Sequence, residues 1–413
     1  MSKLLHYAYD TTNKTIKQDD LVRLLNSSWL KREAGPNGFL FSQLTLNHYL
    51  DLEHRLGEKV LTTDEESLHH KSTGERKKLL LAYILKQKPD FLILDHPFDG
   101  LDMEFVSAFK EELNELAANT VIVQFYTRSI DVLPFCDNTL EFKDGVFQKA
   151  GKLVLEEVQI NRGQEYQIPQ ALYSNYDLPD ILIEFRDVTV SFGEKEVLQH
   201  INWKVKKGES WQLTGANGTG KTTLLSMITG DSVKGYNKNL YIFGFKKGSG
   251  ESVWEIKKKI GYVTPVLTEH FDGMHSLSDM IVGGLYDSVG LYKRPTSMER
   301  SIAEDWINLI GLRPLRSSRF RDLSEVHKRL ALIARAMIKN PPLLILDEPT
   351  LNLGDKDAAL VVNLINTLTN NTETSILYVS HRREPGLRIE HVFELIKTTN
   401  GSVGKEKKMN KAV

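Results

Sequence analysis

Residues 211–228, WQLTGANGTGKTTLLSMI, are the stretch from which everything else is read. An apolar strand at 211–214 enters a glycine-rich loop, and an apolar-periodic helix leaves it. Gly215, Ala216, Asn217, Gly218, Thr219, Gly220, Lys221 and Thr222 fit the phosphate-loop pattern GxxxxGK[ST] in the strand-to-helix setting that the pattern requires. Glycines let successive backbone N–H groups turn inward around phosphate oxygens, and the following helix adds its positive end. Lys221 is expected to reach the β- and γ-phosphates, Thr222 to offer its hydroxyl to Mg²⁺, and Thr223 to complete the nucleotide-binding set.

Further along, residues 343–348, LLILDE, read as a buried strand ending in two carboxylates, where open parallel sheets place their ligands. Asp347 suits a Mg²⁺ shell, and Glu348 suits accepting a proton from a water that attacks the γ-phosphate. His381 follows another apolar strand and is expected to contact the γ-phosphate and position that water. Phe192, just ahead of a turn, is a candidate for stacking on adenine.

The same pattern occurs earlier in the chain. Residues 72–95, STGERKKLLLAYILKQKPDFLILD, match residues 324–347, SEVHKRLALIARAMIKNPPLLILD. Each has a basic amphipathic helix, a Pro-containing turn and an apolar strand, then a helical stretch and a further strand, at 120–126 and 374–380. This alternation predicts an α/β fold. Only the second copy has an evident opening section, with strands at 181–184 and 188–192. Lys221 lies 103 residues before Ser324, and the same offset from Ser72 falls before residue 1, so the first copy is expected to start too late for a phosphate loop.

Composition limits the alternatives. The 413 residues suffice for two or three domains, and 53 Lys plus Arg against 54 Asp plus Glu give a net charge of −1. That balance supplies no global field toward DNA or anionic lipid, and no basic stripe with aromatics is evident, so no nucleic-acid partner is expected. Cys136 is the only cysteine, which excludes a disulfide framework and fits a small buried residue. No apolar run reaches the ~18 residues that span a bilayer. The expected location is cytoplasmic, at most peripheral on the inner face of the plasma membrane through a partner. The tail from Lys405 to Val413 reads as a solvated end.

Together these motifs resemble those of the ATP-binding-cassette (ABC) ATPases, a P-loop NTPase architecture, here as one incomplete and one complete cassette in tandem. The resemblance implies an incomplete cassette without a phosphate loop at 1–148, a linker at 149–180 with Pro169 and Pro179 as breakers, and a complete cassette at 181–413. Residues 235–236, 243–263 and 286–290 are similar to proteins described as molybdenum-transport or photorepair ATP-binding proteins. In this family two cassettes close head to tail, each ATP lying between one phosphate loop and the other cassette's signature sequence. Residues 71–75, KSTGE, resemble that signature, and residues 98–102, FDGLD, the loop that crosses to the partner site. Ser72 and the Gly74 N–H would then cap the γ-phosphate.

The departures fall into a pattern. In the first copy His96 stands in place of the general-base Glu, and Thr127 in place of the switch His. In the second, residues 323–327, LSEVH, have lost the signature glycines, and residues 351–355, LNLGD, replace the crossing loop. One composite site keeps its parts and the other loses them. The reading is therefore an ATPase with one working site, cleaving ATP with Mg²⁺ and energising a transport system, of molybdate type, through a membrane permease subunit. The alternative is an ATP-dependent switch uncoupled from any permease, because the glutamine that transporter cassettes carry after the strand IGYV has no counterpart after Gln212. A third reading, an upstream true start, leaves the coordinated loss at 323–327 unexplained. The motifs leave homo-oligomerisation open.

Overall fold

In the computed structural model the described residues are 4–12, 14, 16–62, 67–71, 73–155, 168–170, 172, 177–264, 266–267, 271, 274–288 and 291–408. They form two units, residues 1–158 with 352–355, and residues 159–351 with 356–413.

The first unit contains β1 (Tyr7–Asp10), α1 (Gln18–Leu25), α2 (Ser28–Ala34), β2 (Gly38–Phe41), α3 (Gln43–Leu56), α4 (Thr73–Lys86), β3 (Phe91–Asp95), α5 (Met103–Leu116), β4 (Val121–Tyr126), β5 (Asn138–Lys143) and β6 (Val146–Lys152). Its sheet runs β2-β3-β4-β1-β5-β6, parallel except for the final hairpin. β3 shows why. Phe91 and Ile93 pack on one face with Leu21 and Leu24 of α1, and Leu92 and Leu94 on the other with α4 and α5. A strand apolar on both faces needs helices on both sides. β6 extends to Lys152, four residues into the stretch read as linker.

The second unit contains β7 (Ile181–Phe192), β8 (Lys195–Lys206), β9 (Ser210–Gly215), α6 (Lys221–Thr229), β10 (Leu240–Ile242), β11 (Phe245–Lys246), α7 (Val253–Lys258), β12 (Ile260–Val263), α8 (Leu277–Val282), α9 (Ser297–Leu309), α10 (Glu325–Met337), β13 (Leu343–Asp347), α11 (Asp355–Asn371), β14 (Ser375–Val379), β15 (His391–Thr398) and β16 (Gly401–Lys408). The sheet order is β11-β10-β7-β8-β16-β15-β9-β14-β13-β12. The two strands expected at 181–192 are one. Register shifts between Phe185 and Val188 and a left-handed Asp187 (φ 54°) absorb the break in hydrophobic alternation. Lys405 to Lys408, read as part of a solvated tail, pair with β15. Ile345 is fully buried in the centre of β13. Ile345→Ala is expected to cost about 2–5 kcal/mol of the second unit's stability, measured by urea unfolding.

The run β12-β13-β14-β9-β15-β16 repeats the order and strand directions of β2-β3-β4-β1-β5-β6. This corrects the expectation that the first copy begins too late for a phosphate-loop segment. Asp347 pairs with Val379, which pairs with Leu213, and in the first unit Asp95 pairs with Phe125, which pairs with Tyr9. Counting on from Leu213 and Tyr9 sets Thr11 against Gly215, Lys14 against Gly218, Ile16 against Gly220 and Lys17 against Lys221. The helices follow at Lys221 in one unit and Gln18 in the other. The offset misled because Lys17 to Ser72 spans 55 residues where Lys221 to Ser324 spans 103. The segment is in place, and the glycines are gone from it.

Candidate functional site

The loop 215–220 joins β9 to α6 and depends on two backbone positions. Gly220 caps α6 in the left-handed region (φ 94°), and a Cβ there would lie 2.8 Å from Leu198 Cδ2. Gly215 (φ 149°) would bring a Cβ within 2.6 Å of the Leu395 carbonyl oxygen. Only glycine fits both constraints. Thr219 is fully buried and donates its hydroxyl to the Ala216 carbonyl at 2.8 Å. Lys221 Nζ donates to the Gly215 and Ala216 carbonyls at 2.7 and 3.1 Å, so its ammonium is folded over the loop. Thr222 and Thr223 stand in the first turn of α6, Thr222 exposed.

β13 delivers the carboxylates. Asp347 is pushed up to about 6 by burial and by the charge of Glu348, with Lys221 pulling the other way. Glu348 sits at the corner after the strand in the left-handed region (φ 48°), its N–H donating 2.8 Å to the Val379 carbonyl. Such a conformation in a non-glycine residue is costly and marks a position held for another purpose. Its Oε1 accepts from His381 N–H at 3.1 Å and from His381 Nδ1 at 2.8 Å, and its Oε2 from the Ser380 hydroxyl at 3.2 Å. Burial favours the neutral acid at Glu348, but these bonds and the His381 charge outweigh it and hold the carboxyl below the usual range.

The structure thus brings together Lys221, Asp347, Glu348 and His381. Phe192 lies half-exposed at the end of β7, with Lys234 Nζ 4.8 Å from its ring centroid. Gly74 is in the first turn of α4, and Ser72 lies outside the described residues. Sequence reading missed three groups around Glu348. Gln212 is nearly buried and donates to the Arg382 carbonyl at 3.0 Å. Glu384, also buried, accepts from Thr350 Oγ1 at 2.7 Å and ties the segment after His381 to the one after Glu348. Arg382 donates its Nε–H to His381 Nε2 at 3.2 Å. None of these is signalled by a motif: the partners of Gln212 and Glu384 lie on other segments of the chain, and Arg382 bonds the side chain of its own neighbour.

The equivalent corner of the first unit has the same backbone and other chemistry. His96 occupies the place of Glu348 (φ 44°) with its N–H on the Phe125 carbonyl at 3.2 Å. Its Nδ1 meets Asp95 Oδ1 at 2.7 Å, and its Nε2 meets Thr11 Oγ1 at 2.8 Å. Thr11 Oγ1 also reaches the Tyr126 carbonyl at 2.9 Å and Thr127 Oγ1 at 3.0 Å, so a side chain fills what Gly215 leaves open. The following turn closes on itself, Thr12 N–H on Asp10 Oδ1 at 2.8 Å and Lys14 Nζ on the Asp10 carbonyl at 3.0 Å. A cavity of about 420 Å³ remains beside it, lined by Phe41, Ser42, Gln43, Asp95, His96 and Thr127 among others. Gln43, two residues past β2, holds in the first copy the place where the second lacks a glutamine.

Burial opposes the charged form of His96, but the hydrogen bond and charge of Asp95, with Asp99, prevail and raise its pKa. Its stabilising contribution is therefore complete below the ordinary imidazole value and is lost as pH rises through the folded value. His96→Gln should shrink the drop in unfolding midpoint between about pH 6 and about pH 9, values that bracket the free imidazole. An undiminished drop would assign the titration elsewhere. Cys136 is buried and its thiol pushed up to about 12 by burial, which leaves it inert.

Among the described residues no helix is long and apolar enough to cross a membrane. Comparison with known proteins agrees with the geometry. The ABC transporter family pattern matches residues 198–351. The ABC transporter ATP-binding protein ModF of Escherichia coli is 35% identical over 76% of this chain and 67% of its own length. An uncharacterised ABC transporter ATP-binding protein of Schizosaccharomyces pombe is 26% identical over 76% of this chain and 66% of its own. The chain thus spans about two thirds of both relatives. The solved complex of archaeal ribosomal stalk protein aP1 with archaeal ribosome recycling factor aABCE1 covers 98% of this chain and 85% of the matched one, with a TM-score of 0.56 at 15% identity, a likeness of fold.

Proposed function

Since the chain belongs to the ABC ATPases, a family of P-loop α/β folds, we propose that it binds ATP at the second unit's loop and hydrolyses it there, with the first unit's signature completing the site. The observation that carries this reading is the convergence of Lys221, Asp347, Glu348 and His381 at the ends of β9, β13 and β14. The loop N–H groups and Lys221 bind and orient the triphosphate. Glu348 takes a proton from water as the water oxygen bonds to the γ-phosphorus. The bond from that phosphorus to the bridging oxygen breaks, and ADP leaves with the electron pair.

Mg²⁺ fits the residues present. Asp347 is a buried carboxyl that burial and the charge of Glu348 raise against the pull of Lys221, and the Thr222 hydroxyl is an oxygen donor as well, which suits a hard cation. Thr222 and Asp347 would hold the ion, which when bound would neutralise charge on the phosphates.

The first unit's corner supports no second triphosphate site in this reading. Ile16 and Lys14 replace glycines, and a β-branched residue does not take the conformation of Gly220. The expected stoichiometry is one non-hydrolysable ATP analogue per full chain by titration calorimetry. Lys221→Ala should abolish binding and Lys17→Ala leave it unchanged, and two equal sites would refute the proposal.

The work done by ATP is read as energising a transport system through a membrane permease, in line with the likeness to the ABC transporter ATP-binding protein ModF, molybdate being the solute that the resemblance to molybdenum-transport ATP-binding proteins implies. The protein would then act on the inner face of the plasma membrane. A second reading, an ATP-dependent switch without a permease, is favoured by one observation. β12 is followed by Thr264 and Pro265 where a coupling glutamine is expected, Pro265 lying outside the described residues. Co-purification of a membrane subunit from detergent extract supports the first, and a soluble partner retained only with ATP supports the second.

A further inference from the structure

The turn that leads into the helix is held differently in the two copies. In the second, residues 275–278 run antiparallel to residues 316–320. Phe320 N–H donates to the His275 carbonyl at 3.0 Å, Leu277 N–H to Ser318 at 2.9 Å and Ser278 N–H to Arg316 at 3.1 Å. Phe320, four residues before Ser324, is fully buried, so backbone pairing and the core together fix the entry to α10. The first copy is shorter here. Among the described residues α3 is its one α-helix between β2 and α4, where the second has α8 and α9 between β12 and α10. Leu68 stands at the place of Phe320 and is buried as well, but among the described residues no backbone group of another segment bonds to it. Two side chains reach it instead. Glu53, in the last turn of α3, accepts the Leu68 N–H at 3.2 Å on Oε1 and 3.1 Å on Oε2. Arg76, near the start of α4, donates Nε–H to the Leu68 carbonyl at 2.9 Å and Nη2–H to the His69 carbonyl at 2.8 Å.

We infer that Glu53 and Arg76 are positioning residues for the proposed ATP site. They replace, with two charged side chains, the backbone pairing that the second copy keeps, and through the turn at 67–71 they fix the N–H of Gly74. The inference rests on Gly74 completing that site, as proposed above. An N–H in the first turn of a helix has no ladder partner, so its placement depends on the chain that enters the helix. Bonds from or to a charged group are about twice as strong as neutral ones, and the planar edge of a guanidinium suits two neighbouring carbonyls at once. Lys328, at the place of Arg76, instead bonds Glu325 on its own helix at 2.9 Å, and among the described residues it touches neither residue 320 nor 321. With the turn released, the first turn of α4 frays and the Gly74 N–H moves off its line to phosphate. Misplacement by an ångström costs up to the order of 10²-fold in rate. The rest of α4 stays packed through Leu80, Leu81 and Ile84, which are buried in the first unit's core.

The test uses the full chain. Arg76→Met and Glu53→Ala should each lower kcat for ATP about tenfold, the worth of one lost phosphate contact, while one non-hydrolysable ATP analogue still binds within about threefold of the wild-type affinity. Arg76→Lys and Glu53→Gln, which keep a donor and an acceptor, should stay within about threefold of wild-type kcat. If Arg76 acts through Gly74, the double variant Gly74→Ala with Arg76→Met should lose about tenfold rather than the ~100-fold of independent sites. Lys328→Ala should leave turnover within about twofold. Amide hydrogen exchange in Arg76→Met should quicken over 67–75 and nowhere else in the first unit. Losses that multiply in the double variant, or wild-type kcat in Arg76→Met, overturn the inference. So does faster exchange throughout the first unit, which marks a merely structural residue. If the wild type hydrolyses no ATP, the function proposed above fails first. Exchange then decides the clamp alone: quickening confined to 67–75 upholds it, and unchanged exchange there overturns it.

Discussion

Glu348→Gln should lower steady-state ATP turnover by about 10²–10⁴-fold, the usual worth of a general base, while leaving ATP bound at least as tightly as in the wild type. The two halves of this expectation have separate physical sources. Turnover falls because an amide cannot take the proton that water loses at the γ-phosphorus. The geometry survives, since a glutamine carbonyl can accept from His381 N–H and Nδ1–H as Oε1 does, and its amide can donate to Ser380 Oγ in place of the bond now received at Oε2. Binding tightens through the neighbour. The charge of Glu348 is one of the causes that raise Asp347, after burial. Removing that charge lowers the Asp347 pKa, increases its ionised fraction and strengthens its hold on a Mg²⁺–ATP complex. Phosphate release and equilibrium binding of ATP to the same preparation check both halves. Turnover within about threefold of wild type would discard Glu348 as the base.

How much of this could be read from the chain alone depends on how local the signal is. The loop at 215–222 and the strand ending at Asp347 were legible because their chemistry is contiguous: glycines at fixed spacing, an apolar run, then acid. The first unit's counterpart at 11–17 was not, because Thr11, Lys14 and Ile16 erase the glycines that make such a loop recognisable. What survives is a position in a sheet, set by pairing with β4 across more than a hundred residues. The same holds for the groups around Glu348. Gln212 and Arg382 are 170 positions apart in sequence and one hydrogen bond apart in space. β7 was read as two strands because hydrophobic alternation breaks at Arg186 and Asp187, and a bulge restores it only once β8 is in place. Periodicity reports the face a residue needs, and backbone irregularity lets the chain supply it.

Gly74→Ala should do opposite things to stability and to turnover, and that opposition separates a functional glycine from a structural one. Gly74 is in the first turn of α4, where its N–H has no partner within the helix ladder. Replacing glycine by alanine in a helix ordinarily stabilises it by about 0.5–1 kcal/mol. A Cβ at Gly74 would meet only Leu101 Cδ2, at an ordinary 3.7 Å. Nothing around it in the first unit demands a glycine. If the proposed site takes its second half from residues 72–74, the reason for glycine is the close approach of a phosphate to the Gly74 N–H. A methyl group would hinder that approach, and an arginine side chain would block it. Gly74→Ala is therefore expected to raise the first unit's unfolding midpoint slightly and to slow ATP turnover about tenfold, an effect of the order of one lost phosphate contact. Gly74→Arg and Ser72→Arg should abolish turnover while the second unit still binds one ATP analogue, because Lys221 and its loop are unchanged. The second copy offers the reverse control. Its Val326, at the place of Gly74, is buried, and Ser324 Oγ caps its own helix by accepting from His327 N–H at 3.4 Å, so this turn is occupied with holding α10. Ser324→Ala should cost the cap, about 1 kcal/mol, and leave turnover within about twofold. Equal loss of turnover from Ser324→Ala and Ser72→Arg would mean that the two signatures serve equivalent sites, and the asymmetry on which the proposed single site rests would be gone.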